Sequence, residues 1–440
     1  MKTTLYKKLL IAIIAIGSTV ICYSQQYPDS LLRYLELAAK NNPTVLQKFN
    51  EYQAALQKVP QAGGLPDPEF SAGVFLSPME LVNGKQIADL RVMQMFPWFG
   101  VLKNAKDETS LMAKAKFEEF RDAKIQVFYD VQSTWYELCK VDKEIGISEK
   151  NIDILKLIER LALVKYKSAT NQPSSSMQNG SMESSSETTG LSDIYRIQIE
   201  SGDLENNIAL LINRKSVLVA QFNSYLNRPV LTTVYSNDNI VIDSSAVDLK
   251  AVSDSMLALN PMLGMISNEK QSLEARQNMV RRMGYPMIGV GLNYSLIGKT
   301  QYPMGPPSMN GRDMIMPMVV FSLPVYRKKF SAMQSEAELL KAAASEKYMA
   351  AAGALQTEYY RAVMLYQDAG RRVRLYENQS LLASKSFDLT LKAFSTSSAG
   401  LADVLRVRQQ TLDYELKRIE AVADYNTAVA LLKKLAGGKE

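Results

Sequence analysis

"MQMFPWFGVLKN" (93–104) reads as a strand that meets a proline and continues at once as a helix. Its hydrophobic period changes from two to about 3.6 across a single Pro-Trp-Phe-Gly corner, with no loop between. "VVFSLPVYRKKF" (319–330) makes the same turn 227 residues later (324 − 97). The fold therefore rests on a strand-to-helix corner that the chain uses twice.

Working outward from the corners, the chain is two copies of one unit. Asn42-Pro43 recurs as Asn260-Pro261, Pro68 as Pro286 and Gly73 as Gly291, all at an offset of 218 (260 − 42). The larger offset at the corners means that the second copy gains nine residues (227 − 218) between its strand segments. "GLSDIYRIQIE" (190–200) matches "GLADVLRVRQQ" (400–410). Each copy reads as helix, strand, strand, long helix, turn, long helix. The first helix is expected over Ser30 to Val59 and again over Val252 to Met283.

The strand segments are "PEFSAGVFLS" (68–77), "IADLRVMQMF" (87–96), "PMIGVGLNYS" (286–295) and "MIMPMVVFSL" (314–323). In the third, Ile288, Val290, Leu292 and Tyr294 alternate with Gly289, Gly291, Asn293 and Ser295. Each is about ten residues, the length that crosses a bilayer as a tilted strand, although a soluble hairpin with one wet face shows the same alternation. Pro317 weakens the fourth segment unless it lies at an edge or bulge.

The helical parts favour the membrane reading. Residues 101–167 contain no proline and a single glycine, Gly146; one continuous helix of that length reaches about 100 Å. Leu405, Leu412 and Ile419 are spaced by seven, so the partner of that helix is another helix. Four strands leave two open edges, which hydrocarbon does not tolerate; further copies of the chain must complete them.

Composition removes other classes. Residues 1–24 have the layout of a secretory signal peptide: Lys2, Lys7 and Lys8, an apolar run from Leu9 to Ile16, and small residues near Ser24. Cys22 follows Ile21, where a lipoprotein signal places a small residue. Loss of the signal lowers the formal charge from +6 to +3 (three lysines, no acids), which does not suit a nucleic-acid binder. Only Cys139 then remains, so no intramolecular disulfide forms. Histidine is absent, which excludes Ser-His triads and His-ligated zinc. No P-loop, GxGxxG, GxSxG or HExxH motif occurs, so neither an enzyme nor a cofactor is expected.

The twofold repeat, the paired Asn-Pro motifs, the "FPWFG" and "LPVYRK" corners and the "LSDIYR" and "LADVLR" turns together resemble the outer-membrane efflux protein (TolC) family over about residues 27–437. The resemblance implies a mainly α fold with a membrane β-barrel. Four strands per protomer would contribute to a trimeric 12-stranded barrel, and long helical hairpins to a periplasmic α-barrel. It implies a first repeat at 25–228 (strands about 68–96, hairpin 101–227), an equatorial segment at 229–250 and a second repeat at 251–437 (strands about 286–323, hairpin 328–436). Residues 78–86 and 296–312 would be loops outside the cell.

Pro97, Trp98, Phe99, Gly100, Pro324 and Tyr326 would then mark where the membrane barrel gives way to helices, with Trp98 and Phe99 near the lipid interface. Asp193 and Asp403 match the acidic residues that ring the periplasmic entrance in the family. Well-described members lock that entrance with a Tyr and an Arg whose places are taken here by Phe394 and Ala399. Asp to Arg pairs using Arg196 or Arg406 are the expected replacement. A first-copy insertion at 171–188 carries Met177 and Met182, weak candidates for a soft metal; no other metal site is indicated.

The implied partners are two further copies of the chain, a periplasmic adaptor, an inner-membrane pump and outer-membrane lipid, with no nucleic acid. The expected role is a passive conduit for metal cations or small toxic organic compounds. The short strand pairs and compact second tip resemble the heavy-metal cation branch, while drug efflux and protein secretion stay open. The alternative is a soluble periplasmic coiled-coil adaptor or scaffold.

Overall fold

The computed structural model describes residues 31–170, 191–235, 240–243, 247–302, 305–396 and 398–438. The signal-peptide reading and Met177 and Met182 lie outside the described residues. Two short helices open the described chain, α1 (Leu31–Asn41) and α2 (Pro43–Gly63), followed by β1 (Glu69–Val74), β2 (Glu80–Leu81) and β3 (Gly84–Phe96). A 70-residue helix α3 (Val101–Thr170) and α4 (Leu191–Tyr225) form the first hairpin. The order then repeats: α5 (Leu249–Leu259), α6 (Pro261–Met283), β4 (Met287–Gly298), β5 (Met314–Ser322), the 69-residue α7 (Arg327–Ser395) and α8 (Leu401–Leu435).

The single opening helix expected in each repeat is in fact two. Proline has no N–H to continue the ladder and starts a helix well, so the chain breaks at each Asn-Pro. Asn260 caps α6 by accepting from the Met262 amide at 3.0 Å, a bond that contributes about 1 kcal/mol in such caps. Asn42 donates to the last carbonyl of α4, Tyr225 O, at 2.8 Å; Asn260 reaches the last carbonyl of α8, Leu435 O, at 3.5 Å. The repeated motif thus ties the opening helices of each half to the end of its own hairpin.

The strands form one antiparallel sheet in the order β1-β3-β4-β5, with β2 on the end of β3. β3 begins at Gly84 and β4 runs to Gly298, so the expected loops 78–86 and 296–312 are both shorter than the sequence suggested. Pro317 is accommodated because, among the described residues, β5 has a neighbour on one side only.

The described chain divides into two compact units, each drawing on both halves. One (through Asn42, Asp130–Asp243, Asp368–Thr427) has a core of Leu155, Ile158, Ile194, Ile197, Phe387, Phe394, Val404 and Leu405. Two asparagines there bind the segment after α4: Asn223 donates to Val230 O and Thr232 O, and Asn426 donates to Val241 O while accepting from the Asp243 amide. The other unit (Pro43–Tyr129, Ser244–Gln367, from Ala428) holds the sheet and a core around Met256, Leu263, Ile266, Leu355 and Leu432.

Candidate channel wall, membrane corner and gate

Pairing register sorts the sheet into two faces, because residues two apart on a strand share a side. Across the four main strands one face carries the rows Ala72-Leu90-Tyr294-Ile315, Phe70-Val92-Leu292-Pro317, Gln94-Val290-Val319 and Phe96-Ile288-Phe321. The other carries Gly73-Asp89-Ser295-Met314, Ser71-Arg91-Asn293-Met316, Glu69-Met93-Gly291-Met318 and Met95-Gly289-Val320. Apolar side chains of the first face are exposed, Phe321 by 61% and Ile315 by 66%, whereas Asn293 and Ser295 on the second are buried. Over residues 289–295 of β4, the buried positions are thus Gly289, Asn293 and Ser295 and the exposed ones Val290 and Leu292, the reverse of a strand in a soluble protein. Ser295 donates to Asp89 at 2.9 Å, and Asn293 Oδ1 is buried with no partner among the described residues.

At the first corner Pro97 ends the pairing and Gly100 supplies a left-handed φ of +85°. A Cβ on Gly100 would stand 2.9 Å from the Arg282 guanidinium, which itself donates to Phe99 O at 3.1 Å. Trp98 stacks on Tyr285 with ring centroids 5.4 Å apart, and Phe99 is 78% exposed. The second corner, Leu323 to Tyr326, has no glycine; Pro324 is half-buried and Tyr326 is 80% exposed. Each corner therefore leaves one aromatic side chain outward at the border of the apolar face.

At the far ends of the two hairpins, Asp193 and Asp403 lie in the first turns of α4 and α8, where an acid complements the helix dipole. Arg406 pairs with Asp403 at 2.7 Å, but the two are three apart on one exposed helical turn, so the pair joins no separate elements. Arg196 is exposed and lies near Glu200. Phe394 is 1% exposed in the hairpin core. What does cross between helices was not expected from the sequence. Lys165 of α3 donates to Phe394 O of α7 and stands 4.0 Å over the Phe394 ring. Arg408 of α8, itself buried, donates to Asn151 of α3 and lies 5.3 Å from the Phe387 ring of α7. Burial pushes the Lys165 amine and the Arg408 guanidinium below their usual ranges, Glu415 opposing the shift in Arg408. Nearby, burial raises the Glu144 carboxyl, with the Lys140 amine acting the other way.

A short antiparallel sheet with an apolar outer face, running through proline corners into helices of about 70 residues, is the fold of the outer-membrane channels. The chain matches the crystal structure of the Campylobacter jejuni CmeC outer membrane channel with a TM-score of 0.73 at 14% identity, over 93% of this chain and 85% of that one. It matches the outer membrane protein VceC of Vibrio cholerae at 0.71 and 12% identity, over 93% and 96% of the two chains. The open state of the Neisseria gonorrhoeae MtrE outer membrane channel matches at 0.68 and 12%, over 93% and 89%. No protein-family model and no curated protein sequence matches the chain. At these identities the likeness shows the fold, and at that level the resemblance read from the motifs is borne out.

Proposed function

We propose that this chain is one protomer of a passive outer-membrane channel, carrying metal cations or small toxic organic compounds out of the cell. The observation that carries this reading is the inside-out sheet: no water-soluble environment favours Phe70, Val92, Leu292 and Phe321 on an outer face while Asn293 and Ser295 are enclosed. Among the described residues no helix is long and apolar enough to cross a membrane. In the proposed channel the strands, with their apolar outer rows, are the spanning elements.

Among the described residues β1 and β5 each leave one edge unpaired, and a hydrocarbon environment requires both to be met. Counting β1, β3, β4 and β5, three copies supply twelve strands, in line with the trimer implied by the family. The exposed Phe99 and Tyr326 suit the aromatic girdle of such a barrel. The hairpin ends are read as the gate and as the surface that meets a periplasmic adaptor and, through it, an inner-membrane pump. There Asp193 and Asp403, repeated three times, would attract cations, and the Lys165-Phe394 and Arg408-Asn151 contacts would hold the helices of one protomer together in place of the missing Tyr and Arg. A conduit of this kind needs no catalytic group.

Fractionation separates this reading from a soluble periplasmic adaptor or scaffold. The channel stays with outer membranes through high-salt washing and forms pores in planar lipid bilayers. Release by salt, with no pores, would assign the chain to the scaffold class.

A further inference from the structure

Six of the residues on the polar face of the sheet are methionines: Met93 and Met95 on β3, Met287 on β4, and Met314, Met316 and Met318 on β5. The apolar face, where a flexible thioether would be an unremarkable filler, carries none. The stretch "MIMPM" (314–318) is decisive, because strand alternation puts all three of its thioethers on one side about 7 Å apart. Met93 and Met318 flank Gly291 in a single row, two strand spacings or roughly 10 Å between backbones. Glycine leaves the space between them free of side chain. One row further on, the Met95 sulfur lies only 2.6 Å from where a Cβ on Gly289 would stand. The small residues of β4 therefore form a shallow floor over which thioethers from both sides converge.

The neighbouring groups suit a cation. Glu69 stands beside Met93, and Asp89 shares the face with a single basic residue, Arg91. Asn293 Oδ1, buried and without a partner among the described residues, lies next to Met316 in the same row and is a free acceptor on this wall.

We infer that this methionine-lined face binds soft monovalent metal cations, Ag(I) or Cu(I), as cargo. Thioethers bind these ions in preference to the hard cations Mg²⁺ and Ca²⁺, which take oxygen ligands. The inference rests on the channel reading for its meaning as a path, but the site itself is a property of the sheet.

The test uses the purified full-length protein and silver nitrate in chloride-free buffer. A variant carrying Met93→Leu, Met95→Leu, Met316→Leu and Met318→Leu keeps volume and apolarity, so its sheet should remain intact. A control carrying Met349→Leu and Met364→Leu, both exposed on α7, removes thioethers elsewhere. Cys139 is present in all three proteins and cancels. In equilibrium dialysis, wild type and control should bind Ag(I) at least about tenfold more tightly than the sheet variant. Micromolar Ag(I) should also lower the bilayer conductance of the first two and leave that of the variant unchanged. Equal binding by all three proteins overturns the site, with methionine then serving as a compliant apolar lining for organic cargo. Tight binding lost in the variant, without pores from any protein, sinks the channel reading and leaves the thioether site standing.

Discussion

The sheet and the hairpin core are built from the same residue types arranged in opposite senses. In the core around Phe394, apolar side chains from α3, α4, α7 and α8 point inward and charges such as Arg406 point out. In the sheet the apolar rows point out, and Gly289, Asn293 and Ser295 of β4 are enclosed. On the proposed channel reading, one chain obeys two solvents: water selects the first arrangement and hydrocarbon the second. Hydrophobicity summed over each region would miss this, because what is reversed is which side chains are buried.

The largest expected effect comes from inverting the sheet's outer face. Leu292→Arg places a charge at mid-strand in lipid, a cost of about 2–4 kcal/mol per copy that recurs three times in the proposed trimer. Heat-stable assembly in membranes should be lost, whereas Ser71→Glu, on the opposite face beside Arg91, should assemble normally. Equal tolerance of both changes would break the contrast.

In the hairpin core, Phe394→Ala should lower unfolding stability by about 3–5 kcal/mol, read from the denaturant midpoint. Next come the two tip arginines. Arg408→Ala leaves buried Asn151 without its donor and should cost about 1–3 kcal/mol, and in cells it should admit large antibiotics. Arg406→Glu breaks an exposed pair worth under about 1 kcal/mol, so it should change stability little and leak less than Arg408→Ala. Greater leak from Arg406→Glu would restore the Asp403-Arg406 pair as the lock.

The smallest effect concerns pH. The folded chain holds the Glu144 proton more tightly than the unfolded chain does. Its contribution to stability is therefore complete below the ordinary carboxylate pKa and is lost as pH rises through the raised folded value. Glu144→Gln should raise the thermal midpoint at neutral pH and narrow the gap between acidic and neutral conditions. An unchanged gap contradicts the assignment.

Much of this architecture was legible in the sequence because it depends on local pattern. The paired Asn-Pro motifs and strand alternation announced the duplicated order of elements, and the scarcity of Pro and Gly after residue 100 announced the long helices. The helix breaks at Asn42 and Asn260 were missed: the apolar pattern runs through them, and proline at a first helical position keeps the period intact. Lys165 and Arg408 were missed for a different reason. Their partners are 229 and 257 residues away, and a charged residue on a helical stripe looks like a solvated one until its neighbours are known. The methionine face needed the register of β4 against β3 and β5, which alternation within each strand does not supply.

The most direct test of the central claim is labelling in intact outer membranes. Single cysteines replace Leu292 and Val319 on one face and Ser71 and Met316, both exposed, on the other, in a Cys139→Ala background. A water-soluble maleimide should label the cysteines at 71 and 316, while those at 292 and 319 should react only with a lipid-soluble reagent. Water-soluble labelling at 292 and 319, with 71 and 316 protected, would show a soluble sheet and contradict the channel.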